Sequence, residues 1–486
     1  MSPHIKGDKA FDAVPSIKDK ALRINLNENI YGTFSEIGAG QETVRNFFRA
    51  GGASGTIAKA MSAYDKDFSD AIYGIEDDKR YVTEARLKKM LDHEIGLLKE
   101  RKSKEENPDR LFFAYANTVA TIDFAKKYKG HGWVGIRFQT DPNEAFSDII
   151  LHLRFKENDA KLQQQTLGIL GTNLIYGAFY KNHNPKKLLQ YLYDHLDKDQ
   201  IEIDMINFSG PRFEKVDNRL MSLQLVKHGM TDAVMFGPDG NNLLAAKILY
   251  KKNILALRGS FRPVTKVNTD MLQKAYDKFV ADKKVNKDNV KVIFEITLSN
   301  LKEVHDDINE RDFLDRAELL CSLGHTVMIS NFQQYYKVAQ YFNAYSKKRM
   351  GLAMGGMNLI ELFNEKYYRD LPGGILEAFG RLASSDVKVY VYPFKNGKGE
   401  LITTDNIKVH PRMKDLYTFF KGNGKLVDLE QDNSLLHIYS RQVLKMIQNG
   451  EGHWEDMLPK GIADIIKEQR LFGYEPEEDF ALYNSN

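Results

Sequence analysis

Apolar residues recur along this chain with two different periods, and the change from one to the other divides it. Over residues 83–99, Leu87, Met90, Leu91, Ile95 and Leu98 stand three to four apart, on one face of a helix. Three β-like segments follow, at residues 111–115, 133–138 and 148–155; the last, DIILHLRF, alternates with the period of two that a strand imposes. The stretch 162–180, LQQQTLGILGTNLIYGAFY, is apolar and rich in small residues, as a helix buried on most sides requires. Residues 21–74 are dense in glycine and hydroxyls and read as a short strand and helical segments joined by glycine turns. These elements predict an α+β N-terminal domain over 21–190 built on an antiparallel sheet. Residues 1–20 are polar and irregular and are expected to form a flexible arm.

Near residue 200 the rhythm becomes regular. The strand-like segments IEIDMINF, TDAVMFG, ILALRGSF, VKVIFEITL, HTVMISN, RMGLAMGG and VKVYVYPF alternate with helix-like ones such as NRLMSLQLVKHG, RDFLDRAELLCSLG and QQYYKVAQYFNAY. Short strands separated by longer helices are the mark of repeated βαβ units and a mainly parallel sheet. The expected fold class is therefore α/β over 191–400. The strand number suits an open doubly wound sheet or a barrel completed by one more strand, and the pattern does not choose between them. Beyond it, FKNGKGELITTDNIKV carries hairpin turn chemistry, and the rest of 401–486 reads as a helical cap ending in the acidic tail EPEEDFALYNSN.

Composition narrows the function classes. The chain has 486 residues, 42% hydrophobic and 28% charged, which suits a globular protein rather than a disordered one. Lysine and arginine exceed the acids by three, with no basic block, so neither nucleic acid nor a membrane surface is an expected partner. A small anionic ligand held by a few local arginines is compatible with that balance. The one cysteine, Cys321, allows no intramolecular disulfide and no cysteine zinc site. Without a signal-peptide stretch or a run of 18 apolar residues, the expected location is cytoplasmic.

Two sets of residues carry candidate chemistry. The first is glycine-rich: Gly38-Ala39-Gly40-Gln41, then Gly51-Gly52-Ala53-Ser54-Gly55-Thr56 with Lys59 beyond. A helix beginning at Ser54 or Thr56 would offer amides, two hydroxyls and the Lys59 ammonium to an anion. Neither the P-loop nor the dinucleotide fingerprint is met, and helix ends or close packing also explain such glycines. The second set lies at predicted carboxyl ends of strands, where open α/β sheets and barrels bind ligands: Asn207, Asp239, Arg258, Arg262, Glu295, Ser330-Asn331 and Gly355-Gly356. Arg258 and Arg262 are expected to grip a phosphate or carboxylate, and Gly355 and Gly356 to let backbone approach it. Asp239 or Glu295 would serve as acid, base or metal support. Turn geometry alone also places Asn, Asp and Gly at such ends. Glu295 is the least ordinary, because it stands inside the apolar strand VIFEITL, where an unpaired carboxylate is costly.

Histidines 131, 152, 183, 228, 305, 325, 410 and 453 show no spacing that would build a zinc motif, so no metal site is assigned. Cys321 stands among leucines and reads as a packed thiol. No Gly-x-Ser-x-Gly elbow occurs, and Phe332, Tyr335, Tyr336, Tyr367 and Tyr368 are expected in core packing.

The segments NENIYGTFSEIGAGQETVRNFF, LYKKNILALRGSFRP and YYRDLPGGILEAFG resemble an uncharacterised family of bacterial proteins of similar length, sometimes labelled nicotinate-nucleotide adenylyltransferases. Enzymes of that activity use an early His-x-Gly-His and a later Ser-Thr-x-x-Arg, and neither occurs here; Gly324-His325-Thr326 is too short to replace them. No residue is therefore carried over, and the resemblance implies only nucleotide chemistry in general, with no cofactor specified. The leading expectation is an enzyme or binding protein for a small anionic metabolite, such as a nucleotide or sugar phosphate. The alternative is a non-catalytic scaffold that self-associates into a homo-oligomer through the glycine- and alanine-rich N-terminal domain.

Overall fold

The computed structural model describes residues 14–77, 79–101, 107–301 and 308–476. The chain is an α/β protein that divides into two compact units between Thr231 and Asp232. The acidic tail from residue 477 and the first thirteen residues lie outside the described part.

In the first unit the chain runs through helix α1 (Ile17–Asn25), strand β1 (Ile30–Gly38), α2 (Glu42–Ala50), β2 (Ile57–Ala63), α3 (Lys66–Tyr73) and α4 (Glu84–Arg101). It continues through β3 (Leu111–Ala120), β4 (His131–Phe138), β5 (Ser147–Phe155), α5 (Ala160–Tyr180), α6 (Pro185–Leu192), β6 (Ile201–Ser209) and α7 (Asn218–Lys227). Part of the expected arm is thus helix α1, because the Ser16 hydroxyl accepts the Asp19 amide and caps it. One six-stranded sheet has the order β2-β1-β3-β4-β5-β6. Only β3 to β6 are antiparallel, as expected of the whole sheet; β1 runs parallel to both β2 and β3.

Leu87 and Leu91 of α4 lie against Gly135 on one face of this sheet, and Phe179 of α5 stacks on Phe113 and Phe138 on the other. Helix α5 is buried almost all round, as its composition requires. Its glycines are needed for contact: a Cβ at Gly168 would stand 2.8 Å from that of Glu42, and one at Gly171 would stand 2.4 Å from the Thr43 hydroxyl. The start of α2 can press against α5 only because both positions lack a side chain.

The second unit contains β7 (Ala233–Phe236), β8 (Asn242–Leu243), α8 (Ala245–Leu249), β9 (Asn253–Arg258), α9 (Lys266–Val280), β10 (Val290–Thr297), α10 (Glu310–Ser322), β11 (Thr326–Ser330), α11 (Tyr335–Tyr345), β12 (Met350–Gly355) and α12 (Gly356–Leu362). Then come α13 (Gly374–Ala383), β13 (Val387–Tyr392), the hairpin β14 (Phe394–Lys395) and β15 (Leu401–Ile402), α14 (Lys414–Gly422), β16 (Leu426–Asp428), α15 (Ser440–Asn449) and α16 (Ile462–Gln469). The main sheet has the order β16-β13-β12-β9-β10-β11-β7-β8, parallel from β16 to β11 and antiparallel beyond. With β9 as the first strand this is the doubly wound order 3-2-1-4-5-6, and its two free edges exclude the barrel.

Two expectations shift. The strand IEIDMINF, placed by its rhythm in the second domain, is β6 and pairs antiparallel with β5 from Asp148↔Ser209 to Phe155↔Ile201, so it and α7 complete the first unit. The sixth parallel strand is β16, inside what reads as the helical cap. The expected hairpin forms, with Asn396 accepting the amides of Lys398 and Glu400 around its turn. Among the described residues, no helix is long and apolar enough to cross a membrane.

The α2–α5 contact sets a prediction: Gly171→Ala destabilises the protein by about 1–3 kcal/mol through overpacking against Thr43 and Tyr115. Urea unfolding of the variant beside wild type reads the change as a lower midpoint.

Candidate functional site

At the carboxyl ends of the second unit's parallel strands, cross-strand register brings Arg258 and Glu295 directly opposite each other. Their side chains form a fork: Arg258 Nε is 2.9 Å from Glu295 Oε2 and Nη2 is 2.7 Å from Oε1. Arg258 Nη1 donates to the Gln333 carbonyl at 3.2 Å, and the guanidinium lies 4.5 Å from the centre of the Tyr335 ring. The Ser330 hydroxyl donates to Glu295 Oε1 at 2.6 Å. Glu295 is 1% exposed. The carboxylate that stood out in the sequence has its partner, and the arginine expected to hold an anion already holds one.

The other residues of that set do not converge on this pair. Arg262 turns to Asp312, 2.5 Å away, which also pairs with Arg316. Asp239 is exposed and closes its own turn by accepting the Asn241 amide and side chain; those bonds hold its carboxyl below the ordinary range. Asn331 is latched to Asp232 through both backbone and side chain. Gly355 and Gly356 begin α12, and a Cβ at Gly356 would meet Phe394 at 2.7 Å. Asn207 lies on β6 of the first unit, away from the parallel strand ends expected for it. Cys321 is buried, and His325 stacks on Phe294.

The Ser54–Lys59 cradle does not form. Helix α2 ends at Ala50, and residues Ala53–Gly55 make a single 3₁₀ turn before the chain extends into β2, so no helix begins at Ser54 or Thr56. Ser54 is exposed, Thr56 donates to the Asn25 carbonyl, and Lys59 pairs with Glu94 at 2.7 Å.

The earlier glycine pair does lead to a helix start. Gly38 has φ +79° and would place a Cβ 2.1 Å from the Val119 carbonyl; a Cβ at Gly40 would fall 1.8 Å from Asn117 Oδ1. Only glycine permits this turn from β1 into α2, whose first turn has no side-chain cap. Beneath it lies Glu36, opposite Asn117 in the β1–β3 register and 2% exposed. Glu36 Oε1 and Asn117 Oδ1 are both buried without a hydrogen-bond partner. Burial pushes the Glu36 carboxyl up to about 8, and the nearby charge of Glu42 adds to the rise; the Val44 amide and Asn117 side chain pull the other way. The group is therefore largely neutral at pH 7 and can donate a proton or a hydrogen bond. Tyr115 hydroxyl meets Thr43 Oγ1 at 3.1 Å in the same layer, and Gln41 Nε2 donates to Ser62 Oγ at 2.7 Å. On the other face of β1, Ser35 meets Tyr73 at 2.5 Å, and Lys59 reaches Glu94. Sequence reasoning passed over Glu36, although it carries the signal that singled out Glu295: an acid within an apolar strand.

No protein-family model matches the chain, and no curated protein matches its sequence. Among solved structures, the competence/damage inducible protein CihA from Agrobacterium tumefaciens is similar over 30% of this chain and 83% of its own, at 16% identity and a TM-score of 0.22. The competence-damaged protein (CinA) superfamily proteins from Enterobacter cloacae and Klebsiella pneumoniae 700603 are similar over 36% of this chain and 99% and 96% of theirs, each at 10% identity and a TM-score of 0.25. At these scores the likeness assigns neither fold nor activity.

Two measurements follow from the buried acids. Glu295→Ala leaves the Arg258 guanidinium buried without its carboxylate, and the expected cost is about 3–5 kcal/mol in chemical denaturation. Glu36 differs: the folded state holds it neutral while the unfolded chain ionises it near the ordinary glutamate value of 4.5. Its contribution to stability is complete below that value and is lost as the pH climbs towards 8. Relative to Glu36→Gln, wild type therefore loses up to about 1.4 kcal/mol per pH unit across that window and nothing further above it. Parallel urea titrations of the two proteins at a series of pH values read the slope; a pH-independent difference contradicts a neutral Glu36.

Proposed function

We propose that the protein binds a small anionic metabolite, of the nucleotide or sugar phosphate class, where β1 and β3 end beneath the start of α2. The carrying observation is the neutral, buried Glu36, whose Oε1 lies without a partner beside the equally unpartnered Oδ1 of Asn117. First-turn amides of a helix favour an anion, and a neutral carboxyl adds a donor without repelling it. Glu36 is then the hydrogen-bond donor or general acid, Asn117 and Tyr115 orient the ligand's polar groups, and Gly38 and Gly40 keep the backbone close. The self-association reading has less support, since Gly168 and Gly171 already serve the α2–α5 contact within one unit.

A thermal-shift screen of nucleoside monophosphates, sugar phosphates and inorganic phosphate tests the proposal, because a ligand of the native state raises its melting temperature. At least one member of the first two classes is expected to stabilise wild type. Glu36→Gln, neutral and of the same shape, should keep that response, whereas Glu36→Ala should weaken binding about ten-fold or more. A response indifferent to Glu36→Ala, or none with any compound, overturns the assignment.

A further inference from the structure

Three titratable side chains far apart in sequence meet on β4, β5 and β6. His152 Nδ1 is 2.5 Å from Asp204 Oδ1, and His152 Nε2 is 3.3 Å from His131 Nδ1. A β-bulge produces the first contact: the β5–β6 register passes from His152↔Met205 to Leu153↔Ile203, so Asp204 is the additional residue on β6. His152 and Asp204 are both buried, and the Trp133 ring lies 4.9 Å from that of His152.

The carboxylate fixes the rest by hydrogen-bond logic. Asp204 accepts, so His152 carries its proton on Nδ1 and presents Nε2 as an acceptor. That acceptor takes the Nδ1 proton of His131, which leaves His131 Nε2 with a lone pair. Burial pushes His131 down to about 4, with His152 and Arg154 adding to the fall and Asp204 opposing it. The relay ends on a neutral imidazole at physiological pH.

Arg154 stands opposite His131 across the β4–β5 pair and lines a cavity of about 620 Å³. Lys129, Lys156 and Lys198 share that lining, against the acids Asp199 and Glu202. Burial raises the Glu202 carboxyl, the neighbouring charge of Asp204 adds to the rise, and a hydrogen bond from Thr231 opposes it. Four cationic side chains thus face two acids in the cavity lining. We propose that the cavity is a second ligand site, separate from Glu36, for a phosphate group, and that binding is coupled to proton uptake at His131 Nε2. The negative charge of a phosphate beside Arg154 opposes the burial and neighbouring positive charge that hold His131 down, so the imidazole takes up a proton as the anion enters. The positive charge formed is stabilised through His152 by the Asp204 carboxyl group.

Calorimetric titration of the full chain at pH 6, with inorganic phosphate and with glucose 6-phosphate in buffers of different ionisation enthalpy, tests the proposal. Binding should be accompanied by uptake of a proton that His131→Gln removes; ¹⁵N spectra of the histidine side chains should show His131 Nε2 becoming protonated on saturation. Arg154→Gln and Lys198→Gln should each weaken binding about ten-fold. Tighter binding of the monoester identifies an organic phosphate as the occupant, and equal binding identifies the free ion. In the Glu36→Ala background, where the first site is weakened, the His131-dependent proton uptake should persist, which keeps the two sites' tests apart. Should Arg154→Gln reduce folding, Lys198→Gln and the His131 spectra still decide. Absence of binding by both probes, affinity indifferent to Arg154→Gln and Lys198→Gln, or uptake persisting in His131→Gln overturns the inference.

Discussion

A carboxylate withdrawn from water into a sheet must be matched by a positive group, be bound by donors, or give up its charge. This protein faces that constraint repeatedly and meets it in different ways. Glu295 is forked by Arg258 and closed over by Ser330, and Glu94 takes Lys59 from the edge strand β2. Asp204 takes a histidine instead of a permanent cation. Glu36 takes neither, and burial leaves it protonated near neutrality. The first two arrangements are closed, so they hold strands together and leave little for a ligand. The latter two lack a permanent cation, and it is on them that the two proposed sites rest.

Much of the second unit could be read from periodicity. Short apolar runs between amphipathic helices specify parallel strands, and β9 to β13 lie where the pattern put them. What periodicity does not encode is sheet membership. IEIDMINF looks like its successors, but it closes the first sheet, because β6 pairs antiparallel with β5. The three-residue β16 was too brief to register within a helical stretch, although it completes the doubly wound order. In the first unit, the composition of residues 162–180 announced a buried helix, while the parallel placement of β1 between β2 and β3 left no local trace.

The site was legible in kind more than in place. The rule that ligands collect at carboxyl ends of parallel strands drew attention to Arg258 and Glu295, and the structure puts those two together as partners of each other. A second parallel system exists in β1 to β3, but residues 21–74 read as a short strand and helical segments, and only residues 111–115 as part of an antiparallel sheet. Glycine emphasis also fell on residues 51–55, whereas the turn that needs glycine for steric reasons and opens a helix is at Gly38 and Gly40. His131, His152 and Asp204 show no shared spacing along the chain. Their proximity is a product of strand register, which a single sequence does not display.

The bulge at Asp204 has a consequence for how this chain can vary. Because the carboxylate occupies the one residue by which β6 exceeds β5 between Ile203 and Met205, its presence is set by strand length as much as by side-chain identity. Removing that single position would restore uninterrupted pairing and leave the neighbouring partners where they are. Relatives that differ here by one residue would keep the same sheet and both imidazoles, yet lack the anion that orients them. An insertion or deletion, ordinarily read as a matter of loops, would act within this strand as a chemical switch.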